Sequence, residues 1–235
     1  MRVLRLIPLL ILLGAAPNGS SPWRYVFEST SGKVVLVRGT TEERAAQGTE
    51  AQGGDEVATG WRGHAQIEVP ERASHFEVFA SSRVHLASDE PGVLLVLETG
   101  RLKAWFDALT GPDTERLVRA PGAILAVRGT RYGVEVSGRD QAIIAVFEGV
   151  VEVRPLDSRQ SPVAVRAGEA CQFGMTMQPR VERMQQGMDE RMWDHGGMAR
   201  GGSGMSGMDG GSTQSRPPGS APSSSSSGHM GGHRP

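Results

Sequence analysis

The end of the chain carries a set of side chains able to hold a soft metal. Met175, Met177, Met184, Met188, Met192, Met198, Met205, Met208 and Met230 accompany His195, His229 and His233. Thioether and imidazole donors favour Cu(I), and Met184, Met188, Met192, His195 and Met198 are the candidate ligands. Irregular spacing and glycine-rich surroundings oppose a preorganised site, because ordering the chain costs affinity. A second candidate is the trio His64, His75 and His85, each on the outward phase of a short strand. Neighbouring strands lie about 5 Å apart, so three imidazoles could converge on one metal. Solvated surface histidines are the competing reading. A third is the pair Arg128 and Arg131, which flank Gly129-Thr130. Their guanidiniums could grip a carboxylate or a partner's backbone, or form salt bridges to Glu148 or Glu152 on an adjacent strand.

Signatures of catalysis are missing from the sequence. There is no Gly-x-Ser-x-Gly, no phosphate-cradling glycine loop with lysine, no His-Glu-x-x-His and no Cys-x-x-Cys. Asp55 and Glu56 are neighbours, so on a strand they point to opposite faces and cannot share one proton-transfer site. Gly54-Asp55 reads instead as a turn in which the Asp side chain bonds local backbone. Cys171 is the single cysteine, which excludes an internal disulfide and suits a small buried side chain. The net charge is −1, and Lys33 and Lys103 are the only lysines among scattered arginines. That pattern gives no nucleic-acid footprint. The chain reads as a non-enzyme without a resident cofactor, copper being the exception to test.

The elements that would position these residues are β-strands. Between Ala123 and Val153, Tyr132, Val134 and Val136 alternate with Arg131, Gly133 and Glu135, the period of a strand with one face buried. Gly129 and Gly149 interrupt the runs, where the backbone bends and a Cβ would clash. Ala65, Ile67 and Val69 alternate with His64, Gln66 and Glu68, and Val93 to Leu97 is a continuous apolar run suited to a central strand covered on both faces. Trp23–Phe27 and Lys33–Arg38 read as a first hairpin or strand pair, and Thr40–Gln52 as a short helical turn or a loop. Leu36-Val37-Arg38-Gly39-Thr40 recurs as Ala126-Val127-Arg128-Gly129-Thr130, and Gly54-Asp55-Glu56 is echoed by Gly168-Glu169. Short strands at about ten-residue spacing imply an all-β fold, either a compact β-sandwich or a β-solenoid-like stack of short antiparallel strands.

Both ends have a different character. Arg2 and Arg5, then Leu6 to Leu13, then Gly14-Ala15-Ala16, form a signal peptide over residues 1–20. Its apolar run is far shorter than the roughly 20 residues of a spanning helix, so no transmembrane span is expected after cleavage. Met184, Met188 and Met192 stand four apart beside Trp193, so a short amphipathic helix is expected over 181–195. The Gly/Ser/Met/His-containing residues 196–235 are expected to be disordered.

Arg128-Gly129-Thr130-Arg131-Tyr132-Gly133-Val134-Glu135-Val136, then Val146 to Val153 and Ala167-Gly168-Glu169, resemble the FecR domain, a family named for a periplasmic ferric citrate regulator. Gly54 to Gly60, Ala65 to Val69, Ser82 to Leu86 and Glu98 to Leu102 extend the resemblance over about 54–171, within an all-β domain of 23–176. Pro70-Glu71-Arg72-Ala73-Ser74 departs from the Asp-Gly turn usual there. The resemblance implies stacked hairpin-like layers, with Gly129, Thr130, Gly149, Gly54 and Asp55 in structural roles. It also implies a sensory domain that receives a transporter's signal and controls a sigma factor. No anti-sigma region precedes the domain here, so the expected role is a non-catalytic binding, sensory or scaffold module of the cell envelope, periplasmic or secreted. Its partner would be a protein or envelope component. The alternative is a periplasmic copper-binding protein acting through the tail. Copper(I) competition against a chromogenic chelator, run on the full chain and on one ending at Arg180, checks that alternative. Only the full chain is expected to withdraw copper, and equal competition curves remove the reading.

Overall fold

The computed structural model describes residues 23–86, 90–107, 115–138, 140–184 and 189–196. The expected signal peptide and the tail from residue 197 lie outside them, as do Met188 and Met198; for Met192 and His195 only the helical backbone is described. Within the described residues the chain forms β1 (Arg24–Ser31), β2 (Val34–Arg38), β3 (Thr41–Arg44), β4 (Glu50–Gln52), β5 (Glu56–Thr59), β6 (His64–Val69), β7 (Ser74–Val78), β8 (Arg83–Leu86) and β9 (Val93–Phe106). It continues with β10 (Arg116–Ala120), β11 (Ala123–Val127), β12 (Arg131–Ser137), β13 (Gln141–Glu148), β14 (Val150–Pro155), β15 (Val163–Arg166), β16 (Glu169–Gly174), β17 (Arg180–Arg183) and the helix α1 (Glu190–Gly196). The all-β expectation holds: two facing sheets enclose one core, and successive strand pairs join them alternately.

Two sheets share one long strand. Sheet A runs β4-β1-β6-β7-β9-β12-β13-β16-β17, and sheet B runs β3-β2-β5-β8-β9-β10-β11-β14-β15. The first half of β9 pairs with β8 and β10 in sheet B; the second half, from Gly100, pairs with β7 and β12 in sheet A. The apolar run Val93 to Leu97 does not stop at Thr99-Gly100 but continues as one fourteen-residue strand. Gly100 takes φ +87 and lets the strand change sheets, and a Cβ there would lie 2.2 Å from Ser82 Oγ.

The alternating side chains fill a single core between the sheets. Tyr25, Phe27, Ile67, Phe76, Tyr132 and Ile144 enter it from sheet A, and Leu36, Val57, Leu95, Leu125 and Val153 from sheet B. Each such side chain contributes about 1.5–3 kcal/mol by leaving water. Cys171 belongs to this core, and burial pushes its thiol up to about 11. The outer strands β3 and β17 read Thr-Glu-Glu-Arg and Arg-Val-Glu-Arg, charged sequences that discourage edge-to-edge pairing.

Several local expectations are corrected. β1 and β2 do not pair with each other: β1 pairs with β4 and β6, and β2 with β3 and β5. Gly32, at φ +66 against the Arg62 carbonyl, carries the chain from one sheet to the other between them. Thr40–Gln52 holds the strands β3 and β4, not a helical turn. The helix expected over 181–195 begins only at Glu190, because Arg180–Arg183 extends sheet A beside β16. The hairpin of β6 and β7 closes through a 3-10 turn at Pro70–Arg72, with Ala73 at φ 44 where a glycine would be unstrained.

Gly129 and Gly149 differ in what they require. Gly129 has φ +60, and a Cβ there meets open space, so the expected clash is absent and the backbone angle alone favours glycine. Gly149 has φ +79, and a Cβ would lie 2.7 Å from Thr130 Cγ2 and 2.8 Å from the Gly129 carbonyl oxygen. The two bends touch. Gly129→Ala should therefore cost about 1–2 kcal/mol and Gly149→Ala about 3 kcal/mol or more, measured as urea unfolding midpoints. Equal losses would contradict the contact.

Candidate functional site

The outer face of sheet A carries a cationic row around a bare stretch of backbone. Because strand side chains alternate, Arg101, Lys103 and Trp105 of β9 share this face with Arg131, Gly133 and Glu135 of β12. Register places Lys103 between Glu77 of β7 and Gly133 of β12, with Ala145 of β13 on the far side of Gly133. Phe79, Phe147 and Met184 complete an apolar patch beside Ala145.

The helix α1 lies on that patch. Trp193 is buried, and a Cβ at Gly133 would lie 2.2 Å from its Cε2 and 2.5 Å from its Nε1. Glycine is thus required at position 133 for contact, not for backbone angle. Phe147 meets the indole edge-on at 6.1 Å. Lys103 Nζ lies 2.7 Å from Asp194 Oδ1, 2.8 Å from Glu77 Oε2 and 3.5 Å from Glu190 Oε1. Arg131 reaches Glu190 at 3.6 Å, and Arg101 Nη1 donates to the Trp193 carbonyl oxygen at 2.6 Å.

Lys103 is 7% exposed, so its charge must be held by partners. Burial works against the ammonium, yet the hydrogen bonds to Asp194 and Glu77, with their charges, outweigh it and hold the proton more tightly than an ordinary lysine does. Burial likewise disfavours the Glu77 carboxylate, but hydrogen bonds from His64 and Lys103 outweigh it and keep the carboxyl below its usual range. Glu77 Oε1 lies 2.8 Å from His64 Nε2.

The sequence-derived candidates fall in several places. His64 meets Glu77 and His75 stacks on Trp105 at 5.1 Å, both on sheet A, whereas His85 lies 2.9 Å from Glu98 on sheet B. The three imidazoles do not converge, and among the described residues no group of three His, Cys, Asp or Glu side chains is placed to hold a metal. Met184 packs against the Phe79 patch. Arg128 and Arg131 do not form one clamp. The Gly129-Thr130 bend takes the chain from sheet B to sheet A, so Arg131 faces α1 while Arg128 lines a cleft of about 430 Å³ on sheet B. Arg154 in that cleft is engaged by Glu115 at 2.8 Å and Glu152 at 2.7 Å.

Gly54 and Asp55 hold a turn. Asp55, 3% exposed, accepts from Arg38 Nη2 at 2.8 Å and from the Gln52 amide at 3.0 Å. Lys103 and Gly133, central to the α1 contact, were not singled out from the sequence. The available signal was a glycine on the wet phase of a strand, which marks a close approach from outside the sheet.

Together these features describe a β-sandwich with a face shaped to grip a short helix through an indole and two carboxylates. Residues 55–152 match the family model described as FecR protein. Arg101, Lys103, Arg131 and Gly133 all lie within the matched residues. Two crystal structures of a putative anti-sigma factor from Parabacteroides distasonis are similar to this chain at 16% identity and a TM-score of 0.46. The likeness covers 55% of this chain and 60% of theirs, less than two thirds of their length. No curated protein matches the chain. Among the described residues no helix is long and apolar enough to cross a membrane.

Protonation of Lys103 should control the α1 contact on the alkaline side, while Glu77 ties Lys103 to the sheet. The lowered Glu77 value means its contribution is present above the unfolded carboxyl range and lost as pH falls; the raised Lys103 value means its contribution is present below the ordinary lysine range and lost as pH rises beyond it. The helix should therefore stay docked up to the ordinary lysine range and loosen above it. Lys103→Met should speed amide exchange in residues 190–196 on the order of tenfold while strand amides stay protected. Unchanged exchange in α1 would show that the charge cluster does not hold it.

Proposed function

We propose that this chain is an exported, non-catalytic FecR-domain module of the cell envelope that binds a protein or envelope component and acts as a sensor or scaffold. The observation that carries the reading is the sheet A face inside the matched residues, where Arg101, Lys103 and Arg131 surround bare Gly133. Such a face recognises a carboxylate-bearing, aromatic segment, and its groups are already consumed by hydrogen bonds and ion pairs. Export is supported by Arg2, Arg5, the apolar run Leu6–Leu13 and Gly14-Ala15-Ala16.

Two measurements test this reading. Fractionation with mass analysis should find the mature chain outside the inner membrane, cut between Ala16 and about Ser21; an uncut cytoplasmic chain overturns export. Crosslinking in the native envelope should yield a defined adduct with the wild-type chain that Gly133→Val loses. An adduct pattern unaffected by Gly133→Val places recognition elsewhere.

A further inference from the structure

We propose that the Gly133 platform is an exchangeable docking site whose ligand is a short helix of pattern Glu-x-x-Trp-Asp. On this view α1 is its resident occupant, and a partner segment of the same acidic, tryptophan-bearing chemistry is its competitor. The inference rests on the binding-module reading and names the partner class.

The seat is specific in shape. An indole lies against the Gly133 backbone so closely that any side chain there would overlap Cε2, Nε1 and Cδ2 of Trp193. Ala145 leaves the neighbouring strand low, and Phe79 and Phe147 rim the patch. It is equally specific in charge. Glu190 stands three residues before the tryptophan and meets Lys103 and Arg131; Asp194 stands one after it and meets Lys103. Arg101 takes the carbonyl of the tryptophan itself. One turn of helix thus presents an anion, an indole, a second anion and a main-chain carbonyl to three cations and a bare strand.

The resident occupant is weakly held for so specific a seat. A seven-residue helix is too short to persist alone in water, so α1 exists by virtue of the sheet beneath it. Its indole Nε1 is buried without a hydrogen-bond partner among the described residues, which penalises this occupant and leaves an advantage to one that supplies an acceptor. Its carboxylates are about a third exposed, so salt competes with their pairing. Specific recognition with a replaceable cis ligand is the physical requirement for exchange.

The probe is a fluorescein-labelled peptide of residues 189–196, Asp-Glu-Arg-Met-Trp-Asp-His-Gly, measured by anisotropy against the full chain. Trp193→Ala empties the seat and should bind the peptide about tenfold or more tighter than the wild-type chain, whose own helix competes. Adding Gly133→Val should abolish that binding, as should alanine for tryptophan in the peptide. Raising salt from about 0.05 to 0.5 M should weaken it several-fold. Circular dichroism confirms the sandwich in each variant, and Glu190→Lys with Asp194→Lys expels α1 by repulsion if Trp193→Ala lowers the folded fraction. Equal binding to wild type and vacated chain, no binding to either folded vacated chain, or binding that survives Gly133→Val overturns the proposal. A Gly133-dependent envelope adduct without peptide binding would retain the module reading and reject this ligand class alone.

Discussion

The passage of β9 from one sheet to the other is the constraint on which the molecule depends. A fourteen-residue strand cannot serve two sheets unless its backbone bends at a place where no side chain obstructs it, and Gly100 supplies that place against Ser82. Ser82 then secures the crossing: its hydroxyl accepts from the Arg101 amide at 2.8 Å, and its own amide donates to Thr59 Oγ1 at 2.9 Å. Thr59 ends β5 in sheet B and Arg101 belongs to the sheet A half of β9. The polar contacts at the crossing therefore tie the two layers where the apolar core alone would leave their offset free to slide.

The candidate site inherits its geometry from that crossing. Arg101 is fixed by its backbone to Ser82 and by its guanidinium to the Trp193 carbonyl, and Lys103 follows two residues later on the same face. Shifting the register of β9 by one residue would turn both cations into the core and bring Leu102 outward, because side-chain direction reverses with each residue. The apolar positions Leu102, Ala104 and Phe106 oppose such a shift. Core packing thereby places the charges, while the charges contribute to holding α1.

Much of the sandwich was legible from alternation. The phases of β6 and β12 are visible because inward valine, isoleucine and tyrosine alternate with outward polar or charged side chains, a pattern that needs no tertiary information. What alternation cannot report is which strands meet. β1 and β2 follow each other in sequence yet lie in different sheets, and β9 reads as two strands because Glu98-Thr99-Gly100-Arg101 resembles a turn locally. The site was hidden for a similar reason. Lys103 looks like an ordinary solvated lysine until a helix ninety residues further along covers it, and the trio of histidines looks convergent until β8 is seen to belong to sheet B.

The weak internal repetition gains a physical meaning from the same topology. Gly54-Asp55 and Gly168-Glu169 each combine a left-handed glycine with an acid whose carboxylate accepts the amide three residues earlier, from Gln52 and Arg166 respectively. Each motif stands at the entry to a strand, β5 in one half and β16 in the other, with β9 between the halves. The recurring element is thus a device for starting a strand after a tight turn, in which the acid takes the place of a backbone partner. Neither motif contributes to the α1 contact, whose cations and glycine come from β9 and β12. Repetition supplies the frame, and the distinctive chemistry arises where the repeat is interrupted by the strand that belongs to both layers.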